Sequence, residues 1–198
     1  MEGVREVFSY VCGQVHLWAV GGQLLPFCQR CAGLYIGGLY ATVLVFVFRP
    51  AASVKLLAIH VICLVQMAPF GYHMVAQGPV LRTITGQFFG FGLAYLLCFN
   101  PVAKLSPPIP AARCGSLAYA LAAVTGIPIL LVTIRFGGPV TAVILAILGT
   151  AGLSAYTVLS AANIVMLCFE VFLWARRIDV RAAVTKQPST GAADLRSA

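Results

Sequence analysis

Long apolar runs separated by short polar segments dominate the chain. The runs cover residues 32–49, 55–76, 83–100 and 115–134, and a fifth tract extends from 138 to 177. A helix needs about 20 residues to cross a membrane core about 30 Å thick. Each of the first four runs matches one crossing, and the fifth is long enough for two. The pattern predicts an all-α integral membrane protein, a bundle of about six transmembrane helices, with five as the alternative.

The orientation of the bundle depends on that number. The predicted turn in the fifth tract lies within the segment GTAGLSAYTVLSAAN, residues 149–163, where no proline marks it. Because cytoplasmic loops carry an excess of Lys and Arg, the 13 basic residues indicate the cytoplasmic side. Six crossings divide them nine to four and predict both termini in the cytoplasm. Five crossings give the same ratio with the N-terminus outside.

The runs divide the chain into five segments. A Cys-bearing N-terminal cap covers 1–31, three helices cover 32–100, a Pro-rich loop covers 101–114, the C-terminal membrane helices cover 115–177, and a flexible polar tail covers 178–198. No sequence repeat relates the two halves of the chain. A transporter built from inverted repeats is therefore the least favoured class.

Composition supports membrane insertion and limits the classes of molecule that the protein is expected to bind. The chain is 61% hydrophobic and 9% charged, whereas soluble domains contain about 25% charged residues. The formal charge of +8 comes from basic residues between apolar runs, where they meet anionic lipid headgroups. No segment interleaves basic and aromatic residues on a polar face. The expected partners are membrane lipids and other membrane-protein subunits, not nucleic acid.

Three cysteines and a histidine precede the first apolar run. Cys12, His16, Cys28 and Cys31 follow the spacing C-x3-H-x11-C-x2-C. Two thiolates in a C-x2-C turn can share one metal, and a Cys3His set is a known structural zinc site. The spacing predicts a metal site, with zinc favoured over iron.

Two alternatives to a metal remain open for these residues. Cys28 and Cys31 could exchange thiol and disulfide with a quinone or a partner protein, which requires an accessible thiolate of low pKa. Cysteine is also a common small apolar residue that simply packs.

One histidine lies inside a predicted span. An intramembrane ionisable residue is a functional candidate by default, and a neutral imidazole can bind an iron or a magnesium ion. His60 is therefore a candidate axial ligand for a haem or chlorin pigment.

Glycines recur at a four-residue spacing on two predicted helices. Gly33 and Gly37 lie on the first helix, and Gly86 and Gly90 lie on the third. Small residues at this spacing let helices approach closely in lipid. They predict that the two helices pack on each other or on a neighbouring protein.

Three stretches carry a resemblance to a known family. VCGQ, GGQLLPFCQRCAGLYIGG and RTITGQFFGFGLAYLL resemble the uncharacterised prokaryotic membrane proteins of domain of unknown function 2085, over about residues 10–100. The resemblance implies a multi-pass protein of the prokaryotic cytoplasmic membrane. The chain departs from the family pattern at Gly13, where the family has the histidine of C-H-Q, and at Phe70, where it has an aspartate before glycine.

These observations favour a structural role over a catalytic one. The sequence contains no G-x-S-x-G, no H-E-x-x-H and no phosphate-binding glycine loop followed by lysine. The two departures remove the side chains best suited to chemistry, while the cysteines and glycines remain. We predict a small accessory or scaffolding subunit of a larger, energy-transducing membrane complex, with a metal-stapled cap. The rival is a membrane thiol–quinone redox enzyme that uses Cys28 and Cys31.

Overall fold

The computed structural model describes residues 2–50, 53–71, 74–105 and 113–185. The elements in chain order are α1 (Glu2–Ser9), β1 (Leu17–Val20), β2 (Gln23–Cys28), α2 (Gln29–Phe48), α3 (Val54–Val65), α4 (Met67–Gly71), α5 (Pro79–Leu105), α6 (Arg113–Phe136) and α7 (Pro139–Thr185). Within these ranges, five helical segments are long and apolar enough to span a membrane. They are α2, α3 together with α4, α5, α6 and α7. The predicted helical membrane architecture is confirmed to this extent.

The fifth apolar tract differs from the prediction. The turn expected within residues 149–163 is absent, because α7 is helical from Pro139 to Thr185. The described residues therefore contain five candidate spans rather than six. Glycine lowers helix propensity by only about 1 kcal/mol, and a lipid environment favours a continuous helix because it satisfies every backbone polar group.

Several predicted segment boundaries also shift. Helix α2 begins at Gln29, within the predicted cap 1–31. Helix α5 extends to Leu105 and α6 begins at Arg113, so helix replaces both ends of the predicted loop 101–114. The remainder of that loop, residues 106–112, lies outside the described residues. Helix α7 extends to Thr185, into the predicted tail, and residues 186–198 are likewise outside the described part.

The chain forms two compact units, residues 1–160 and residues 161–198. The described part of the second unit is helical. The first unit contains the hydrophobic core, the strands and every residue that the sequence predicted to form a site.

Helices α2 and α5 pack with their backbones in contact. A Cβ atom on Gly33 would overlap the carbonyl oxygen of Thr83, and one on Gly86 would overlap the carbonyl oxygen of Arg30. Gly90 also lies close to the backbone of α2, since its Cβ would lie 2.5 Å from the oxygen of Leu34. Only glycine allows so close an approach in this pair.

Tyr156 of α7 packs against both helices where they cross. Its ring occupies the space that a side chain on Gly38 would fill. Its hydroxyl donates to the carbonyl oxygen of Gly90 at 2.8 Å. A buried hydroxyl needs such a partner in an apolar interior, and the glycine carbonyls are accessible because no side chain covers them.

A β-hairpin, which the sequence analysis did not predict, precedes α2. Strands β1 and β2 pair antiparallel, with Val20 opposite Gln23. The two residues between them, Gly21 and Gly22, have φ of 56° and 80°. A two-residue turn with positive φ at both positions matches the right-handed twist of the strands and strongly favours glycine.

The N-terminal cap, residues 2–28, comprises α1 and this hairpin. Its interior includes Phe8, whose ring meets that of Phe27 edge-on at a centroid distance of 4.9 Å. Tyr35 of α2 lies 5.5 Å from the Phe8 ring. Trp18 adds a polar contact, because its Nε1 donates to Thr83 Oγ1 of α5 at 2.9 Å. The cap therefore rests on the N-terminal ends of both α2 and α5.

Candidate metal centre

Three separate elements bring three cysteines to one place. Cys12 follows α1, and its backbone N–H donates to the carbonyl oxygen of Phe8 at 2.8 Å. Cys28 is the last residue of β2 and the N-cap of α2, and Cys31 lies in the first turn of that helix. The three sulfur atoms lie within 4.8 Å of one another. The hairpin thus returns the chain to the point where α1 ended.

Backbone N–H groups point at two of the sulfurs. Cys12 Sγ accepts from the N–H groups of Gln14 and Cys28, both at 3.4 Å. Cys28 Sγ accepts from the N–H of Cys31 at 3.4 Å. Gln14 reaches its position with a φ of 49°, in the left-handed region. Hydrogen bonds of this kind favour a thiolate over a thiol.

The neighbouring cysteine thiols shift one another's pKa values. Hydrogen bonds from the thiols of Cys28 and Cys31 hold the pKa of Cys12 well below its usual value. The same contact with Cys12 raises the pKa of Cys28. The first proton therefore leaves easily and the next does not, since a second thiolate would face the first. A bound cation removes this conflict because it attracts every thiolate, and its binding releases protons.

A cavity of about 350 Å³ opens beside the sulfurs. Its lining includes His16, Arg30 and Arg82 with the three cysteines, and no acidic residue. His16 is exposed and its ring lies outside the group of sulfurs. The predicted set of four residues is therefore reduced to three that meet and a histidine that shares their cavity.

Arg30, between Cys28 and Cys31, points away from the sulfurs. Its Nη2 donates to the carbonyl oxygen of Phe70 and to Gln77 Oε1, both at 2.9 Å. Phe70 stands where the family pattern has aspartate, and its contact with Arg30 is made through the backbone oxygen. This contact ties the start of α2 to the end of α4.

Gly13, the other departure from the family pattern, is exposed beside Cys12. A Cβ atom there would meet only Val15 Cγ2, at 3.7 Å, an ordinary van der Waals distance. The backbone therefore has room for a side chain at the position where the family has histidine.

His60 is buried between α3, α5 and α6, away from the cysteines. Its Nδ1 lies 2.7 Å from the carbonyl oxygen of Leu56 and its Nε2 lies 2.8 Å from Tyr119 Oη. The ring of Tyr95 stacks on it at a centroid distance of 4.0 Å. Both ring nitrogens are engaged, which disfavours His60 as an axial ligand and favours a structural role. Nothing in the sequence near Tyr119 indicated this partnership.

Three thiols at these distances suit a soft or borderline metal ion. Zinc binds thiolates at about 2.3 Å, so tetrahedral geometry separates the sulfurs by about 3.8 Å. The observed separations, all within 4.8 Å, need only small side-chain rotations to reach it. The residues present therefore fit zinc with three protein ligands, and the fourth position would face the cavity.

Comparison with known proteins identifies part of the chain. No curated protein and no solved structure matches it. Residues 14–96 match the sequence model of the family described as predicted membrane protein (DUF2085). This range contains Cys28, Cys31 and the four glycines of the α2–α5 contact. The resemblance found in the sequence is therefore confirmed: residues 14–96 match the DUF2085 family of predicted membrane proteins.

Proposed function

We propose that this membrane protein binds one zinc ion through Cys12, Cys28 and Cys31, and that the ion staples the N-terminal cap to the start of α2. The observation that carries the proposal is the convergence of three sulfurs within 4.8 Å from three different elements. Zinc would supply bonds that hold these elements together. The protein's own contribution is the hairpin that returns the chain and the N–H groups that stabilise thiolates.

The small size of the cap explains why a metal is needed. Its fully buried apolar side chains are few, chiefly Phe8, Val20, Leu25 and Phe27. Small cores of this kind are usually reinforced by disulfides or a structural metal. The free energy of metal binding then contributes directly to folding.

In its biological setting we place the protein as an accessory subunit of a larger membrane complex. The support comes from the span formed by α3 and α4, of which only 11% is buried. A helix that packs so little within its own chain has a broad face for another membrane protein. We expect the complex, extracted in a mild detergent, to have a native mass well above the 21.0 kDa of one chain. A single chain in lipid would contradict this part of the proposal.

The number of membrane crossings determines on which side of the membrane the cap lies. If each crosses once, the termini lie on opposite sides, and the charge bias then places the cap outside the cytoplasm. That side of a bacterial membrane is oxidising, and zinc would protect the thiols there. An impermeant maleimide applied to intact cells tests this, because it would reach the cap thiols from outside after a chelator is added. Labelling only in lysed cells would place the cap in the cytoplasm, as six crossings would.

Elemental analysis of the purified chain is the decisive experiment. We expect about one zinc per polypeptide, and none in Cys31→Ser or Cys28→Ser. Cys168→Ser is the matched control, because this cysteine is free and exposed on α7. X-ray absorption at the zinc edge should show sulfur neighbours at about 2.3 Å. A metal-free wild-type chain with freely titrating thiols would overturn the proposal.

The C-x2-C pair at a helix start supports a second candidate, thiol–disulfide exchange. In that reaction Cys28 and Cys31 lose two protons and two electrons to a quinone, which leaves as quinol, and a disulfide forms. A metal-free chain whose Cys28–Cys31 disulfide forms on addition of a soluble quinone would establish it. A zinc-bound chain whose thiols resist alkylation until a chelator is added would exclude it.

A further inference from the structure

A buried polar side chain lies near the middle of α5. Gln87 is 1% exposed and sits close to the centre of the candidate span Pro79–Cys98. Its Oε1 has no hydrogen-bond partner among the described residues. An unpaired polar atom at membrane depth is strongly unfavourable, because no water is present there to bind it. A binding partner that lies outside the protein chain would remove this cost.

Two glycines make room for this amide. A Cβ on Gly37 would lie 2.5 Å from Gln87 Cγ, and one on Gly126 would lie 3.3 Å from Gln87 Nε2. The side chain is therefore held between α2 and α6 by the absence of side chains opposite it. The two glycines therefore allow the polar side chain to be buried between the helices.

An apolar cavity of about 330 Å³ lies against Gln87. Two other polar side chains in its lining are already engaged: Tyr40 Oη donates to Ala122 O at 2.8 Å, and Thr133 Oγ1 donates to Ile129 O at 2.7 Å. No charged residue lines the cavity. Among the lining residues described, Gln87 Oε1 is thus the buried polar atom that a ligand could satisfy.

The cavity opens toward the lipid-facing side of the helices. Three residues of its lining are substantially exposed: Val43 at 51%, Ile129 at 60% and Leu148 at 37%. They belong to α2, α6 and α7. A ligand would therefore enter from the hydrocarbon phase. This cavity shares no lining residue with the one beside the cysteines.

We propose that this cavity binds a neutral, lipid-soluble molecule that ends in a hydroxyl group, and that the hydroxyl donates to Gln87 Oε1. The absence of charged lining excludes an ionic headgroup, and the aliphatic walls select an apolar body. A hydroxyl can donate and accept, so it suits an amide in either orientation. The volume accommodates roughly ten non-hydrogen atoms at about 30 Å³ each. The class includes long-chain alcohols, prenols and quinols.

The test uses the full chain in lipid nanodiscs and a decanol analogue that carries a photoactivatable diazirine. Mass spectrometry of the crosslinked peptides should place the label on residues around the cavity mouth. Unlabelled 1-decanol and its methyl ether, which lacks the donor, are the matched competitors. We expect decanol to suppress labelling at about a tenfold lower concentration than the ether, which corresponds to about 1.4 kcal/mol.

Two variants separate the hydrogen bond from the cavity. Gln87→Leu should keep labelling but lose the difference between the competitors. Val43→Trp should fill the mouth and abolish labelling, while Val47→Trp, one turn further and 67% exposed, should leave labelling unchanged. Thermal unfolding of each variant shows whether it is folded.

Three outcomes would overturn the proposal. Equal competition by alcohol and ether in the wild type would mean that the cavity takes lipid chains without recognising a hydroxyl. Label distributed evenly over lipid-facing residues would mean that there is no site. Discrimination that survives in Gln87→Leu would assign the acceptor of the hydroxyl to another group. None of these results depends on the zinc content of the chain.

Discussion

The N-terminal cap and the α2–α5 helix pair are packed in opposite ways. The helix pair removes side chains altogether at Gly33 and Gly86, so that backbone touches backbone. The cap is held by side chains: a few aromatic rings, one indole hydrogen bond, and the thiols of Cys12 and Cys28 beside Cys31 of α2. The helix pair therefore depends on the absence of side-chain atoms, whereas the proposed zinc site would make the cap depend on an ion that links its sulfurs.

This difference predicts which kind of change destabilises each region. In lipid, helices gain little from hydrophobic association, so close fit provides the attraction, and any added atom opposes it. The cap has few fully buried apolar side chains, and cores this small are usually reinforced by a disulfide or a metal. Substitutions should damage the helix pair, and chelation should damage the cap.

The largest effect is expected from Gly86→Ala. The new Cβ would overlap the backbone of Arg30, and a helix backbone cannot rotate away, so the cost should be about 1–3 kcal/mol or more. Gly78→Ala, where a Cβ meets nothing within 4 Å, should change stability by less than about 0.5 kcal/mol. Denaturant unfolding in micelles measures both. Equal effects would mean that the helices are not in close contact.

Removal of metal should have the next largest effect and should be confined to the cap. After chelation, amide hydrogen exchange in residues 2–28 should accelerate at least about tenfold, equivalent to about 1.4 kcal/mol. Amides of α2 and α5 around the glycines should keep their protection, because no metal contributes to that contact. Re-addition of zinc should restore the slow exchange. A uniform acceleration across both regions would mean that the cap and the helix pair are not stabilised independently.

Trp18→Phe tests the polar link between the two regions. The variant keeps the aromatic ring but loses the hydrogen bond from Nε1 to Thr83 Oγ1, which should cost about 1 kcal/mol. A double-mutant cycle with Thr83→Val isolates this contact from the bonds that Thr83 makes within α5 and to α2. A coupling energy near zero would show that cap and helix are not joined here.

The smallest effect is expected from Tyr119→Phe. This change removes the hydrogen bond to His60 Nε2, and such bonds between membrane helices average about 0.6 kcal/mol. Tyr10→Phe is the control, since that residue is 83% exposed. Unfolding measured as for the glycine variants should rank Tyr119→Phe well below Gly86→Ala. The reverse ranking would place polar contacts above packing in this bundle.

Sequence patterns predicted what depends on local composition. Apolar runs of one membrane thickness indicated the helices because burial in lipid requires little else. The glycine spacing indicated close packing, and the structure has Gly33 and Gly86 at the α2–α5 contact. The C-x2-C spacing indicated that Cys28 and Cys31 could meet, since a helix start places them one turn apart.

The structural features that the sequence did not predict depend on contacts between distant residues or on local patterns that favour two different structures. The hairpin was not predicted because its two strands are short and because Pro26 argues against a strand. Gly21 and Gly22 do mark its turn. The continuity of α7 was missed because a length argument cannot distinguish one long helix from two. The partnership of His60 with Tyr119, 59 positions later, leaves no local trace.

The position of Cys12, Cys28 and Cys31 has a consequence for the order of synthesis. All three sulfurs, and the hairpin that gathers them, belong to the first 31 residues of the chain. The glycines of α5 that complete the helix pair are translated much later. Domains generally fold from the N-terminus as the ribosome delivers them. With the proposed zinc site, the cap can therefore acquire its ion before α5 is available to pack against α2.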